Sequence, residues 1–299
     1  MNYSHFTSLH DALTEIVSPS VKIEKMLPTS GGDINRAYRL LLFDGTPMFM
    51  KANTGESVDF FEAEADGLLA IAQTKTIRVP RVLGLGSDER YGAFLLLEWI
   101  EGTSPIHDYW ENFGRQLAAL HRADTTPLVT NGSFGFDRDN YIGKRVQINS
   151  VRDSWIAFFR DCRLSPQLHD AARYLDTSDR KRADRLLARL DTILVEPARP
   201  SLIHGDLWSG NFITGHNGQA WLIDPAVYVG HAEADLAMTE LFGGFQSAFY
   251  HAYREAFGMQ PGYERRRDVY NLYHLLNHLN LFGSSYLPAV RRVLKEFGS

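Results

Sequence analysis

The chain has 299 residues, of which 44% are hydrophobic and 22% charged, and its formal net charge is -5. This composition is typical of a soluble globular protein with one large domain or two of ordinary size. The sequence has no sustained stripe of Lys and Arg of the kind that binds nucleic acid. Cys162 is the single cysteine, which excludes a disulfide within the chain. No apolar run approaches the roughly 20 residues of a membrane span, and the N-terminus lacks a secretory pattern, so a cytoplasmic location is expected.

Residues 21–100 alternate between strand and turn patterns, with one helix among them. Five strands are predicted, at 21–27, 37–43, 47–53, 79–86 and 93–100. The Asp44-Gly45 pair is a strong hairpin signal between the second and third strands. Glu56 to Gln73 is predicted to be a helix, because its apolar residues cover one broad face. The expected N-terminal lobe, residues 1–101, is therefore a five-stranded antiparallel sheet with one helix.

From residue 105 onward the pattern becomes mainly helical. Six helices are predicted, at 108–123, 151–163, 178–194, 234–257, 263–282 and 287–297. Three short strands are expected between them, at 201–206, 211–215 and 220–225, with Asn217-Gly218 turning a hairpin. The triplet Arg265 to Arg267 is interpreted as a solvated helix face. Residues 102–299 are therefore expected to form a mainly helical C-terminal lobe, which gives an α+β chain of two lobes.

The stretch HGDLWSGN, residues 204–211, concentrates polar side chains that would be costly as packing material. Phosphoryl transfer needs a carboxylate to orient a hydroxyl or accept its proton, and oxygen ligands for Mg²⁺. Asp206, Asn211 and Asp224 are residues of these types, at the spacing of a catalytic loop and a metal loop joined by a hairpin. The sequence therefore predicts a phosphotransferase site.

The N-terminal segment supplies groups that a nucleotide would need on its other side. Gly31 and Gly32 lie between two strands, where backbone N–H groups could cover phosphates. Lys51 ends a strand as an ammonium suited to the α- and β-phosphates, and Glu64 could pair with it. The backbone from Glu98 to Ile100 could bind an adenine edge. Each feature alone has an ordinary structural explanation, but their order and spacing together favour a nucleotide site.

At these residues the chain resembles the small-molecule branch of the protein-kinase-like superfamily, in which HGD replaces HRD. Asp224-Pro225-Ala226 stands where protein kinases have DFG. The chain more closely resembles the fructosamine kinase (ketosamine-3-kinase) family, in the strings HGDLWSGN, FFEAEADGL, FGFDRDNYIG, IDPAVYVGHAEADLAMTELFGGF and YNLYHLLNHLNLFGSSY. The resemblance covers nearly the whole chain, from about Gly31 to Tyr286.

This resemblance implies a bilobal protein-kinase-like fold and ATP-dependent phosphorylation of the 3-hydroxyl of a ketosamine, which leads to deglycation of the amine. It implies that Asp206 is the catalytic base and that Asn211 and Asp224 bind Mg²⁺. It further implies that Lys51 binds phosphate with Glu64 as its partner. The expected substrate is a small ketosamine or a glycated protein lysine, with no nucleic acid or membrane as partner; the oligomeric state is left open.

Four residues are candidates for substrate contact, namely Trp208, His231, Glu233 and Asp235. The indole of Trp208 could stack on a sugar face or an amine substituent. A carboxylate of Glu233 or Asp235 could attract a cationic amine, but helix capping or bracing of the catalytic loop is an equal alternative.

Five further polar positions are weaker candidates for a binding role. Asn140, Gln147 and Asn149 could bind sugar hydroxyls or satisfy loop backbone. His274 and His278, four residues apart on a predicted helix, have the spacing of a metal pair but are expected to pack rather than to bind a metal.

Two other functions stay open from the sequence. One is a kinase for another hydroxylated small molecule, such as an aminoglycoside, choline or a free sugar. The other is a nucleotide-binding regulator without catalysis, against which the presence of Lys51, Asp206, Asn211 and Asp224 counts.

Overall fold

The computed structural model describes residues 3–29, 35–129 and 132–299. The chain forms two compact units, Met1–Tyr109 with Ile213–Pro225 and Trp110–Phe212 with Ala226–Ser299. The first unit thus differs from the predicted 1–101 lobe by containing the segment that leads to Asp224. Among the described residues, no helix has the length and apolar character to cross a membrane.

The first unit is built on one sheet. Its elements up to residue 98 are, in chain order, β1 (His5–Phe6), α1 (Leu9–Ile16), β2 (Ile23–Thr29), β3 (Arg36–Leu42), β4 (Pro47–Asn53), α2 (Val58–Thr74), β5 (Val82–Asp88) and β6 (Gly92–Glu98). The sheet has six strands in the order β1-β5-β6-β4-β3-β2, and all pairs except β1 with β5 are antiparallel. Buried apolar side chains of α1, β3, β4 and β6 pack together as a core on the sheet.

The prediction of a five-stranded antiparallel sheet with one helix is wrong in two details, the sixth strand β1 and the additional helix α1. Two residues are too few for β1 to show a strand pattern. The strand pairs in parallel with β5 at Gly86, where an added Cβ would lie 2.0 Å from the carbonyl oxygen of Phe6. Ser8 caps α1 by accepting a hydrogen bond from the backbone N–H of Asp11 at 3.0 Å.

The remaining elements are mainly helical. They are α3 (Tyr109–His121), β7 (Asn140–Ile142), β8 (Arg145–Gln147), α4 (Trp155–Phe158), a π-helical turn (Phe159–Leu164), α5 (Ser165–Asp170), α6 (Thr177–Ala188), β9 (Ser201–Ile203), β10 (Phe212–Thr214), β11 (Ala220–Leu222), β12 (Tyr228–Gly230), α7 (Ala232–Leu241), α8 (Ser247–Phe257), α9 (Tyr263–Phe282) and α10 (Leu287–Phe297). In the second unit β9 pairs with β12, and β7 with β8.

The predicted helix 234–257 is wrong, because the chain breaks into α7 and α8 at two glycines. Gly243 and Gly244 have φ of +73° and +98°, which are outside the helical region. The sequence also missed β7, β8 and β12, each only three residues long. The break at the glycines places Phe242 at the end of α7, with its side chain exposed.

Backbone hydrogen bonds tie the β10-β11 hairpin to the rest of the first unit. Thr103 N–H donates to the carbonyl of Thr214 at 2.9 Å, and Leu222 N–H donates to the carbonyl of Arg78 at 2.9 Å. Asp224 follows β11 directly. These bonds therefore fix its position relative to the sheet that carries Lys51.

Candidate active site

In the first unit, Lys51 on β4 lies between two carboxylates from distant parts of the chain. Its Nζ donates to Oε1 of Glu64, on α2, at 2.6 Å and to Oδ1 of Asp224 at 2.6 Å. The Lys51 side chain is 4% exposed, while those of Glu64 and Asp224 are 11% and 27% exposed. The three predicted residues are thus in direct contact.

Charge balance keeps this ammonium ionised. Burial alone would lower the pKa of Lys51, but the negative charges of Asp224 and Glu64 outweigh burial and raise it above its usual value. Asp224 adopts φ of +55°, which is uncommon for a residue other than glycine. Strained backbone of this kind is concentrated at functional sites.

In the second unit, Asp206 lies on a tight loop after β9. Gly205 precedes it with φ of +83°, and an added Cβ there would lie 2.0 Å from the carbonyl oxygen of Ala226. Asn211 Nδ2 donates to the backbone carbonyl of Asp206 at 2.8 Å and to its carboxylate Oδ2 at 3.1 Å. The loop therefore requires glycine at 205, and Asn211 orients the Asp206 carboxylate.

Asp235 on α7 accepts hydrogen bonds from the backbone of this loop. Its carboxylate accepts hydrogen bonds from the backbone N–H groups of His204 at 2.6 Å and Gly205 at 2.8 Å. The same carboxylate contacts His121 Nε2 at 3.2 Å, and His121 Nδ1 contacts the hydroxyl of Tyr253 at 2.7 Å. Burial acts to raise the pKa of Asp235, but the bonds to His121 and Gly205 prevail and lower it. Asp235 thus braces the loop that contains Asp206, in agreement with one of the two roles considered for it.

His231 and Glu233 are also buried, and both are bonded to other groups of the second unit. His231 is the N-cap of α7, and its Nδ1 accepts a hydrogen bond from Glu233 N–H at 3.1 Å. Glu233 forms a two-point ion pair with Arg266, at 2.7 and 2.6 Å. This arrangement favours capping and bracing over substrate contact. It also corrects the interpretation of Arg265 to Arg267 as a solvated face, because Arg266 is buried.

The polar trio on and after β7-β8 supports backbone. Asn140 Nδ2 donates to the carbonyl of Val227 at 2.7 Å, and Gln147 Nε2 donates to that of Ala226 at 3.0 Å. Asn149 Nδ2 donates to the side-chain oxygen of Asn140 at 2.9 Å. These contacts hold the segment that follows Asp224-Pro225, which agrees with the alternative that the trio satisfies loop backbone.

Trp208 differs from these residues in being exposed. Its side chain extends from the loop that contains Asp206, is 38% exposed and lies across Gly210, where an added Cβ would be 2.4 Å from two indole carbons. Asn211 N–H donates to the carbonyl of Trp208 at 3.0 Å. The ring therefore packs on the backbone of the loop that contains Asp206 and is partly exposed to solvent.

The predicted Mg²⁺ ligands have suitable donor chemistry. With Nδ2 of Asn211 directed at Asp206, its amide oxygen is the atom left for a cation, and Asp224 has a second carboxylate oxygen besides the one that binds Lys51. Within the described ranges no cluster of three or more His, Cys, Asp or Glu could hold a metal. An amide oxygen and a carboxylate oxygen are donors of the kind that Mg²⁺ takes from proteins, with its remaining ligands supplied by phosphates and water.

The remaining nucleotide predictions concern Gly31, Gly32, Glu98 and Ile100. Gly31 and Gly32 fall outside the residues that the structure describes. Glu98 ends β6, where its N–H donates to the carbonyl of Arg81 at 3.0 Å and its carboxylate accepts from Arg81 N–H at 2.9 Å. Ile100 is buried. Adenine binding at Glu98 and Ile100 stays a prediction.

Sequence reasoning missed three supports, His121, Tyr253 and Arg266. His121 and Tyr253 are 132 residues apart, and His121 and Asp235 are 114 apart. No local spacing rule connects positions so distant. The only available signal was the presence of polar side chains within otherwise apolar helix patterns.

Comparison with known proteins identifies relatives over nearly the whole chain. Residues 5–298 match the model of the fructosamine kinase family. A probable ketoamine kinase of Synechocystis is 41% identical over 286 residues, which cover 95% of this chain and 94% of that protein. A chloroplastic protein-ribulosamine 3-kinase of Arabidopsis thaliana is 37% identical, over 93% of this chain and 84% of that protein.

Solved structures agree with these sequence matches. The crystal structure of a putative fructosamine-3-kinase from Thermobifida fusca is similar with a TM-score of 0.83 and 33% identity, covering 96% of this chain and 97% of that one. An aminoglycoside phosphotransferase in a ternary complex with AMP-PNP and hygromycin B has a TM-score of 0.65 at 17% identity, covering 97% and 96%. That likeness concerns the fold alone, which is the protein-kinase-like phosphotransferase fold. The chain belongs to the fructosamine kinase family.

Proposed function

We propose that this protein is an ATP-dependent kinase that phosphorylates the 3-hydroxyl of ketosamines and so leads to deglycation of their amines. The observation that carries the proposal is the match of residues 5–298 to the fructosamine kinase family. The relatives named ketoamine kinase and protein-ribulosamine 3-kinase support the substrate class. A small ketosamine and a glycated protein lysine both contain the reacting group.

In this proposal the catalytic loop performs the chemical step. Asp206 orients the substrate hydroxyl and accepts its proton as the bond to the γ-phosphorus forms and the bond to the ADP oxygen breaks. Asn211 holds the carboxylate in place through Nδ2. Asp235 prevents the loop from moving, because it binds two consecutive backbone N–H groups at 204 and 205.

The nucleotide side of the site is assigned to the first unit. Lys51 neutralises charge on the α- and β-phosphates, and its ion pair with Glu64 fixes the ammonium in position. Asn211 and Asp224 would hold Mg²⁺, which supplies charge neutralisation at the phosphate oxygens. The backbone at Glu98 and Ile100 would bind the adenine edge. Gly31 and Gly32 would cover the phosphates.

The test is release of ADP with a panel of acceptors: fructosyl-lysine, ribulosyl-lysine, an aminoglycoside, choline and free fructose. We expect turnover with the two ketosamines and ³¹P NMR evidence of a 3-phosphate. Turnover with only the aminoglycoside, choline or fructose would instead establish a different small-molecule kinase. ATP binding without turnover of any acceptor would establish a nucleotide-binding regulator without catalysis.

Asp206→Ala tests the role of Asp206 in this assay. We expect its kcat to fall about 10²–10⁴-fold, the usual contribution of a general base, while ATP affinity stays close to that of the parent protein. Asp184→Ala, at an exposed position on α6, serves as the control and is expected to keep full activity. Equal activity of Asp206→Ala and the control would contradict the role of Asp206.

A further inference from the structure

Five side chains of the second unit form a continuous aromatic surface, here called the aromatic shelf: Trp208, Phe242, His278, Phe282 and Tyr286. Ring centroids are 6.4 Å apart for Trp208 and Phe242 and 5.0 Å for Phe242 and His278. His278 in turn lies 5.5 Å from Phe282 and 5.1 Å from Tyr286. The rings meet at tilted or edge-on angles, so they make one surface rather than a closed stack.

The shelf is unusually exposed for aromatic side chains. Phe242 is 41% exposed and Phe282 52%, in addition to Trp208 at 38%. Across the described part of the chain four Phe or Trp side chains are exposed, and three of them lie on the shelf; the fourth, Phe43, belongs to the first unit. Grouping of exposed aromatics in this way is typical of a binding surface, whereas single exposed apolar residues need no explanation.

Close packing ties the shelf to the catalytic loop. The indole of Trp208 lies against Gly210. Beside Phe242, an added Cβ at Gly244 would lie 2.5 Å from Cβ of Ser209, so the turn between α7 and α8 packs directly on the loop. The shelf therefore has a fixed position relative to Asp206.

The shelf carries no positive charge near neutral pH. His278 Nδ1 is 2.8 Å from the carbonyl oxygen of His274. Because a carbonyl oxygen only accepts, Nδ1 carries a hydrogen, as it can in a neutral imidazole. Burial lowers the pKa of His278 and prevails over the opposing effect of this bond. A neutral imidazole among four aromatic rings presents an apolar surface that does not repel a cationic amine.

A ketosamine has three parts: the sugar with its reacting hydroxyl, the amine nitrogen, and the substituent on that nitrogen. Asp206 would engage the hydroxyl, and the shelf starts two residues further along the same loop. We infer that the aromatic shelf is the subsite for an apolar or aromatic substituent on the amine nitrogen, and that it selects among ketosamines by their amine. This inference rests on the proposed function and concerns the same site.

The test compares fructosyl-methylamine, fructosyl-butylamine and fructosyl-2-phenylethylamine, which share the sugar and differ only in the substituent. We expect kcat/KM to increase along this series, by roughly tenfold or more from methyl to phenylethyl, since each apolar group is removed from water on the shelf. In Phe242→Ala and Phe282→Ala the phenylethyl-to-methyl ratio should fall toward one. Phe43→Ala, an exposed phenylalanine in the first unit, should keep the parent ratio.

Two outcomes would overturn the inference. One is equal kcat/KM for all three substrates in the parent protein, or a ratio that both shelf variants leave unchanged. The other is a self-associating protein in which Phe242→Ala or Phe282→Ala yields monomers on size-exclusion chromatography, since the shelf would then be covered by a second copy. Failure of every ketosamine to react would instead refute the proposed function, which separates the two tests.

Discussion

At Lys51 a single buried ammonium binds two carboxylates, and we expect this sharing to stabilise the fold in addition to the proposed role of Lys51 in nucleotide binding. In Lys51→Met, Glu64 and Asp224 lose their common partner. Because removal of one member of a buried ion pair leaves uncompensated charge, we expect the free energy of unfolding to fall by about 3 kcal/mol. Urea denaturation would measure it.

A suitable control for that variant is Lys25→Met. Lys25 pairs with Glu24 at 3.5 Å, but both side chains are largely exposed, at 58% and 39%. Exposed pairs contribute little to stability, so little change is expected. Equal losses for the two variants would show that the Lys51 pairs are no stronger than a surface pair.

Asn211 combines two roles, orientation of Asp206 through Nδ2 and the proposed binding of Mg²⁺ through its oxygen. In Asn211→Ala we expect the Mg²⁺ concentration for half-maximal activity to rise at least about tenfold, because one of two protein ligands is lost. Titration of activity with Mg²⁺ at saturating ATP measures this. Gln73→Ala, which removes an exposed amide on α2, should leave the Mg²⁺ requirement unchanged. An unchanged requirement in Asn211→Ala would rule out the ligand role.

The candidate site residues could be chosen from the sequence because their order and spacing match a kinase-like pattern. They are Lys51, Glu64, Asp206, Asn211 and Asp224. The contact of Lys51 with both Glu64 and Asp224 has a different origin, since Asp224 is 173 residues away. For Glu233 and Asp235 the sequence left two roles open. Their burial, with Arg266 and the loop N–H groups as partners, favours the structural one.

At the level of elements, the loop between β9 and Asp206 depends on a glycine for two separate reasons. Gly205 and Gly258 have nearly equal φ, +83° and +81°, but an added Cβ meets the Ala226 carbonyl at 2.0 Å in the first case and nothing within 4 Å in the second. Gly258→Ala should therefore cost only the backbone strain, about 1–2 kcal/mol. Gly205→Ala should cost at least about 2 kcal/mol more.

Urea denaturation of the two variants, followed by circular dichroism, gives this difference directly. Gly205→Ala should also lose turnover, because the Asp206 loop must shift to relieve the contact. Gly258→Ala, at the end of α8, should keep it. If the two substitutions were equally destabilising, the close approach of Gly205 to Ala226 would not be significant.

Long elements with a strong period were predictable, as β2 to β6, α2 and α9 illustrate. The two- and three-residue elements β1, β7, β8 and β12 were not, because so short a segment shows no clear strand period. The break between α7 and α8 was readable in principle from Gly243-Gly244, since consecutive glycines disfavour helix. The apolar residues on both sides concealed it.

At the scale of the whole molecule, buried neutral histidines make stability depend on pH. Burial lowers the pKa of both His231 and His274 to about 3, from the ordinary 6.5. Between about pH 6.5 and pH 3 the unfolded chain therefore binds protons that the folded chain does not, so stability falls as the pH is lowered through this range. We expect a slope of about 1 kcal/mol per pH unit for each histidine.

The measurement is the free energy of unfolding at pH 7, 6 and 5. His231→Asn should reduce the slope, and asparagine can still cap α7. His274→Gln should reduce it likewise, whereas His107→Asn, at a fully exposed side chain, should leave it unchanged. A slope that neither buried variant alters would mean that other groups cause the acid sensitivity.

The sequence by itself determined the class of chemistry, because Asp206, Asn211 and Asp224 have the residue types that phosphoryl transfer needs, at the spacing of a kinase catalytic loop and metal loop. It also determined the main strands and helices, whose apolar periods are local properties of the chain. The tertiary structure alone decided which polar residues serve as supports, since Asp235, His121 and Arg266 are paired across more than 30 residues. It also brought Trp208 together with Phe242 and His278. The physical reason is that burial and long-range contact arise only when the chain is folded, and no spacing in the sequence encodes them.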